Sequence, residues 1–422
     1  MSAFDQKNIM AIQKHHRQRV AIVYPFLAHY RGPIFRILSE QEAPAPEYTA
    51  FSAPTSNIPS IEVVDPNLAN IEPKKGGIRW QFVHNFFAGP LLYQTGIVRL
   101  ALSRKFDTII YLGNVYFIST WLGAILARLT GKRVLMWTHG FIREEHGITG
   151  WLRKRFYALA HGLLLYGNRA AHLCKNMGFD PDRLYVILNS LDYNEQVTIR
   201  RDISDNDLIK LRSQLFEHHD WPILIATCRL MENKRLDMIL KAASLLLQRG
   251  QHVNVLLVGD GPARDSLKAY ADELGIMDRV NFYGECHDEK ILGPLISASS
   301  VCVMPGEVGL TAMHAMAYGT PVVTHDQGGF QMPEYEAIMP GETGALFRHS
   351  SVEDLVDKIT AWLMRENERT ETRNACYEII DKLYNPYFQQ RILNEAVAGI
   401  PASQCPAART AVEPLFPENI NI

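Results

Sequence analysis

Short apolar runs alternate along most of this chain with segments whose apolar residues recur at helical spacing. Residues 19–24 (RVAIVY) read as a buried strand ended by Pro25. A loop then leads to a helix over 33–39 that carries proline early, where its missing N–H does no harm. Residues 40–80 are rich in Pro, Ala, Ser and Asn and read as loop, with one short strand at 61–64. The alternation then becomes regular, with helix 93–104, strand 108–112, helix 118–129 closed by Gly131, strand 133–137, and strands at 163–166 and 184–188. Residues 196–220 are charged and read as a connection holding one helix, 205–216. A second series follows: strand 221–227, helix 235–248, strand 254–258, helix 263–274, strand 280–283 and helix 289–297.

The next stretch organises the second series. Residues 301–324 (VCVMPGEVGLTAMHAMAYGTPVVT) read as strand 301–304, a loop turned by Pro305, Gly306 and Gly309, helix 310–318, and strand 321–324. Helices at 351–365 and 377–397 close the chain before a Pro-rich tail. Strand and helix in strict alternation predict parallel sheets covered by helices. At 422 residues the chain exceeds one ordinary core. The expected division is a first domain over 1–195, a linker over 196–220 and a second domain over 221–375. A helix over 376–400 returns to the first domain, and 401–422 form a loosely ordered tail.

Composition narrows the classes. With 47% hydrophobic and 21% charged residues and a net charge of −2, the chain reads as soluble and globular, without the basic excess of bulk nucleic-acid binding. Its six cysteines are scattered with no CxxC pair, which fits a reducing cytoplasm. The polar first 19 residues lack a signal-like apolar core, and no run is long enough to cross a bilayer. The patch at 151–157 (WLRKRFY) has two readings, a contact with anionic lipid headgroups and a solvated helix face.

Candidate chemistry sits at predicted strand ends. Arg229 follows the strand at 221–227 and Lys234 lies five residues on. An arginine fork and a lysine point charge suit a diphosphate, and the helix start at Gly309, Leu310 and Thr311 adds neutral N–H donors. Such a cluster holds a pyrophosphate leaving group without a metal. His139 stands at the end of the strand at 133–137, placed either to bond a substrate hydroxyl or to be satisfied within its own loop. Arg31 follows the first strand, where open α/β sheets place ligands; the alternative is a solvated surface arginine. No Walker loop, GxGxxG, HExxH or Cys/His cluster is present. Asp205-Asn206-Asp207 has metal-motif spacing but reads as helix capping.

Taken together, CRLMENKRLDMILKA, LLVGDGPARDSL, VNFYGE, MPGEVGLTAMHAMAYGTPVV, GGFQMPE and GETGALF, in this order, resemble the retaining, nucleotide-sugar-dependent glycosyltransferases of family four. YPFLAHYRGPIF and NSLD in the first half are similar more loosely. The resemblance implies the GT-B fold, two Rossmann-like domains whose parallel sheets face a central cleft. It implies that Arg229 and Lys234 hold the donor phosphates, that Gly309, Leu310 and Thr311 meet the diphosphate, and that the backbone at Glu285 and Cys286 contacts the base. The family carries a glutamate at two positions of the 301–324 stretch; here the first falls on Gly306, with Glu307 one place later, and the second on His314. Glu307 is expected at the donor sugar and His314 at a ribose hydroxyl.

The implied activity is transfer of a sugar from a nucleoside-diphosphate-sugar to a glycan or lipid-linked acceptor, without metal or other cofactor. The implied setting is cell-surface polysaccharide or lipopolysaccharide synthesis; the residues themselves give the cytoplasm as the expected location, with peripheral contact to the inner membrane face left open by the patch at 151–157. A sugar-nucleotide 2-epimerase and a non-catalytic subunit of a glycan assembly complex remain alternatives.

Overall fold

A computed structural model describes residues 17–58, 61–143, 145, 147–365 and 368–405. The described chain divides into unit 1, running to Ile187 and resuming at Pro386, and unit 2, from Leu188 to Asn385. Unit 1 contains β1 (Arg19–Phe26), α1 (Gly32–Glu40), β2 (Glu47–Ala53), β3 (Trp80–Phe82), β4 (Asn85–Ala88), β5 (Leu91–Gln94), α2 (Ile97–Leu102) and β6 (Thr108–Leu112). It continues through α3 (Ile118–Leu129), β7 (Arg133–Thr138), α4 (Gly147–Ala158), β8 (Gly162–Leu165), α5 (Asn168–Asn176) and β9 (Leu184–Val186).

Unit 2 begins with α6 (Tyr193–Asp202), α7 (Asp205–Leu215), β10 (Ile223–Thr227), α8 (Asp237–Gln248), β11 (Asn254–Val258), α9 (Arg264–Glu273), β12 (Val280–Gly284) and α10 (Glu289–Ser297). It ends with β13 (Val301–Met304), α11 (Thr311–Ala317), β14 (Val322–His325), β15 (Gly344–Phe347), α12 (Val352–Leu363) and α13 (Arg369–Lys382); α14 (Pro386–Ala398) lies back in unit 1.

Each unit is built on one parallel sheet. In unit 1 the order is β3-β2-β1-β6-β7-β8-β9, and in unit 2 it is β12-β11-β10-β13-β14-β15. The strands are apolar on both faces because helices cover both, as buried parallel strands require. In unit 1 alternate residues of four strands (Ala21, Val23, Ile109, Tyr111, Val134, Met136, Leu163 and Leu165) form one core with the inner sides of α2, α3, α4 and α5. α14 is tied to this unit: Tyr48 donates to Asn394 Oδ1 at 2.9 Å and Arg133 Nε to the Ala396 carbonyl at 2.7 Å.

Several expectations differ from what is found. The segment 40–80, read as loop, holds β2 and ends on the first residue of β3, while 61–64 contributes only the bridge between Ala28 and Val63. β2 (EYTAFSA) is buried with small and weakly polar side chains, so its burial leaves little trace in hydropathy. The helix expected over 93–104 is a hairpin strand, β5, then a turn at Thr95-Gly96 and the short α2. The helix expected over 377–397 is two: α13 ends at Lys382 and α14 starts at Pro386, whose ring disfavours the helical conformation at Asn385. The segment 196–220 holds the end of α6 and all of α7. In the expected tail, Ala402–Gln404 form a short 3-10 turn and Cys405 is fully buried; residues 406–422, and the first 16 residues, lie outside the described residues.

Candidate functional site

The sheet of unit 2 changes direction at β10, whose neighbours β11 and β13 are reached by crossovers of opposite sense. Ligands of open α/β sheets lie beyond the carboxyl ends of strands at such a point. The loops there are those after β10, carrying Arg229 and Lys234, and after β13, carrying Glu307, Gly309 and Leu310.

Backbone contacts lock the first loop. The Cys228 N–H donates to the Val258 carbonyl at 3.1 Å and the Leu230 N–H to that of Asp260 at 3.0 Å. Gly259 permits this approach, since a Cβ there lies 2.0 Å from the Cys228 carbonyl oxygen. The GDGP turn therefore works as a seat for the Arg229 loop. The second loop is tied to the first: Lys234 Nζ donates to the Glu307 carbonyl at 2.8 Å and the Gly306 N–H to the Lys234 carbonyl at 3.1 Å. Gly306 packs so tightly that a Cβ meets the Asn233 carbonyl oxygen at 2.2 Å. A glutamate has no room at 306 on this backbone.

Buried side chains complete the frame. Gln331 accepts from the Val308 N–H at 3.0 Å and donates to Thr324 Oγ1 at 2.7 Å, and that hydroxyl donates to the Met304 carbonyl at 2.7 Å. The Thr311 hydroxyl donates to the Thr227 carbonyl at 2.8 Å, joining the start of α11 to the end of β10. No side chain caps α11, so its first N–H groups have no side-chain acceptor. Arg229 is exposed and Lys234 half-buried, and neither forms an ion pair among the described residues. Lys234, Glu307 and Thr311 are thus tied together across the ends of β10 and β13, with Arg229 in the loop after β10, and Gln331 and Thr324, which residue-by-residue reading missed, brace Val308 and the end of β13. GGFQMPE carried the signal for Gln331.

The remaining expected residues of unit 2 lie further out. Glu285 and Cys286 follow β12, two strands from β10 in the sheet; the Glu285 carboxylate is 3.0 Å from His287 Nε2. His314 Nε2 lies 2.9 Å from Glu289 Oε1, which also accepts from the Tyr318 hydroxyl at 2.8 Å. Burial pushes the Glu289 carboxyl up, but hydrogen bonds from His314, Tyr318 and Gln196 more than offset it and hold the group below its ordinary range. The expected ribose ligand therefore has an internal carboxylate partner on one ring nitrogen. Ser204 caps α7, its Oγ accepting from the Asp207 N–H and donating to Asp207 Oδ2 at 2.6 Å, so Asp205-Asn206-Asp207 forms the acidic first turn of the helix. Among the described residues no group of three or more His, Cys, Asp or Glu side chains is arranged to hold a metal.

In unit 1, Arg31 is no solvated arginine. It is 9% exposed, donates to the Tyr166 hydroxyl, and lies over the rings of Trp137 (5.0 Å to the centroid), Tyr166 (4.9 Å) and Tyr24 (5.7 Å). His139 packs on Tyr166, ring centroids 4.6 Å apart, and its Nδ1 is buried without a partner among the described residues. Burial first, and the Arg31 charge second, push His139 down to about 4. The ring is neutral in the fold, while an unfolded chain binds that proton near pH 6.5. Between pH 6.5 and 4 the unfolded state therefore holds more protons, and stability falls as pH falls through that window. The expected contribution is about 2–3 kcal/mol, and His139→Gln should flatten the acid limb of urea-unfolding stability measured from pH 7 downward. An unchanged limb rejects this origin.

The residues 208–379 match the family model for glycosyl transferases group 1. An alpha-D-kanosaminyltransferase of Streptomyces kanamyceticus is 29% identical over 164 residues, 37% of this chain and 41% of the relative. A D-inositol 3-phosphate glycosyltransferase of Nocardia farcinica is 31% identical over 204 residues, 46% of this chain and 43% of the relative. The chain thus spans less than half the length of these relatives. Among solved structures, Anabaena Alr3699/HepE in complex with UDP superposes with a TM-score of 0.66 at 16% identity, over 90% of this chain and 99% of that one. The fold is GT-B. The matched residues 208–379 lie within unit 2.

Proposed function

We propose that the protein is a glycosyltransferase that moves a sugar from a nucleoside-diphosphate-sugar to a hydroxyl of a glycan or lipid-linked acceptor, with retention at the anomeric carbon. We place it in cell-surface polysaccharide or lipopolysaccharide synthesis. The observation that carries the reading is the pair Arg229 and Lys234 beside the uncapped start of α11, with no ion pair formed by either cation among the described residues.

Breaking the anomeric C–O bond leaves negative charge on the departing diphosphate. An arginine, a lysine and backbone N–H groups set in advance stabilise that charge without reorganising. The reading assigns Glu307 to the donor sugar and the backbone at Glu285 and Cys286 to the base. With two cations serving the diphosphate, no metal is needed for that charge. The leaving phosphate takes the acceptor proton on the same face of the sugar, so no side-chain base is named.

A thermal-shift screen against nucleoside-diphosphate-sugars tests the reading, because a ligand held only by the folded state raises the melting temperature. The expected result is a shift with at least one donor. Transfer to an acceptor in the presence of EDTA, with the donor's anomeric configuration kept in the product, should follow. Epimerisation of the donor without acceptor favours the isomerase instead. Donor binding without turnover favours a non-catalytic subunit, and a panel with no shift removes the reading.

A further inference from the structure

The outer side of the helix layer in unit 1 is apolar where a solvated layer is polar. Along α3, Ile118, Leu122, Ile125 and Leu129 are all exposed and recur at helical spacing, while Ala124 and Ala127 on the opposite side are buried. Leu129 is 77% exposed, far beyond what a partly covered core residue shows. α4 repeats the pattern: Ile148 is 85% and Trp151 58% exposed, and the Arg155 guanidinium lies 5.5 Å from the Trp151 ring centroid.

The two helices are neighbours in one layer. Trp121 of α3 packs on Phe156 of α4 with centroids 4.8 Å apart, and Arg128 Nη1 donates to the Leu159 carbonyl at 3.1 Å. The β4–β5 hairpin joins α3 through the Gln94 N–H, which donates to Ser119 Oγ at 3.0 Å, and it adds Phe86, 61% exposed. A monomeric soluble protein seldom leaves so much contiguous apolar surface bare.

Charge identifies the occupant. The hairpin, α3 and α4 carry Arg128, Arg153, Lys154 and Arg155, a net charge of +4 in a chain whose total is −2. The hairpin, α3 and α4 contain no acidic residue at all. A second copy docking symmetrically sets one such positive face against another, which opposes association. A surface that is apolar below and anionic above matches both properties at once.

We propose that this face of unit 1 docks on a bilayer rich in anionic phospholipid. The α3 stripe, Ile148 and Trp151 enter the boundary between headgroups and acyl chains, and Lys154 and Arg155 meet the lipid phosphates. Of the two readings open for WLRKRFY, this one involves a wider surface than that patch. The inference stands on unit 1 alone and does not depend on which group the protein transfers.

Co-sedimentation of the full chain with vesicles of phosphatidylcholine, with and without phosphatidylglycerol, tests it. Expected is binding to the anionic vesicles that weakens with added salt and is roughly tenfold or more weaker on neutral ones. The double variants Ile125→Glu/Leu129→Glu and Lys154→Glu/Arg155→Glu should each weaken binding by about tenfold or more at an unchanged melting temperature. Ile148→Glu, at the most exposed position, repeats the test without touching α3. No preference for anionic vesicles overturns the proposal. So does binding that survives all these substitutions, or a dimer in sedimentation equilibrium that the α3 variant dissociates.

Discussion

Arg229→Ala and Lys234→Ala should each cut sugar transfer by about a hundredfold to a thousandfold, the effect of removing one preorganised donor from a developing oxyanion, about 3–4 kcal/mol. The two are expected to differ in stability. Arg229 is exposed and forms no ion pair among the described residues, so its loss should leave the melting temperature unchanged. Lys234 also holds the Glu307 carbonyl at 2.8 Å, so its removal should lower melting slightly and loosen the loop after β13. Steady-state rates with the donor found by thermal shift, together with melting curves, separate the two effects. Wild-type turnover in both variants rejects the phosphate assignment.

Gly306→Ala should be nearly as severe although it removes no functional group. The added methyl lies 2.2 Å from the Asn233 carbonyl oxygen, which belongs to the backbone and cannot rotate away. The loops after β10 and β13 must part, shifting Lys234 and Glu307 together. A displacement of about 1 Å at a reacting centre costs on the order of a hundredfold in rate. Turnover near wild type, with a normal melting temperature, shows that the contact of the two loops does not set the geometry of the site.

Much of the fold is readable in the chain because strands buried on both faces are written as unbroken apolar runs. The runs that became β6, β11 and β13 are bounded in the structure at the residues where their apolar character ends. α3 and α10 are equally legible, one closed by glycine and the other started by Asp288, whose carboxylate accepts from the Lys290 N–H. β2 was not legible, since Thr, Ala and Ser fill most of a strand that is nonetheless buried. The hairpin β4–β5 was hidden for the opposite reason, as exposed aromatic residues on a short ribbon resemble the start of an amphipathic helix.

The candidate site divides in the same way. Arg229, Lys234 and the turn at Gly309, Leu310 and Thr311 declare themselves by standing just past apolar runs, because strand ends are where an open sheet exposes its loops. Glu289 and Gln331 do not, because their partners lie elsewhere in the chain: Glu289 meets His314, 25 positions on, and Gln331 meets Val308, 23 positions back. Arg31 is the sharpest case. Its neighbours in sequence are ordinary loop residues, and only the packing of β1, β7 and the end of β8 stacks Tyr24, Trp137 and Tyr166 around it.

By itself, then, the amino-acid order determined the alternation of strand and helix, two parallel sheets, and the presence of cations at a strand end, since each depends on local periodicity and on residues adjacent in the chain. Tertiary structure alone decided that Gly306 excludes a side chain, that His314 is bound to Glu289, that Arg31 is buried among aromatic rings, and that one helix layer of unit 1 presents an apolar, cationic face. Each of these is a relation between segments far apart in the chain. Such relations are set by how whole elements pack, and no local pattern encodes them.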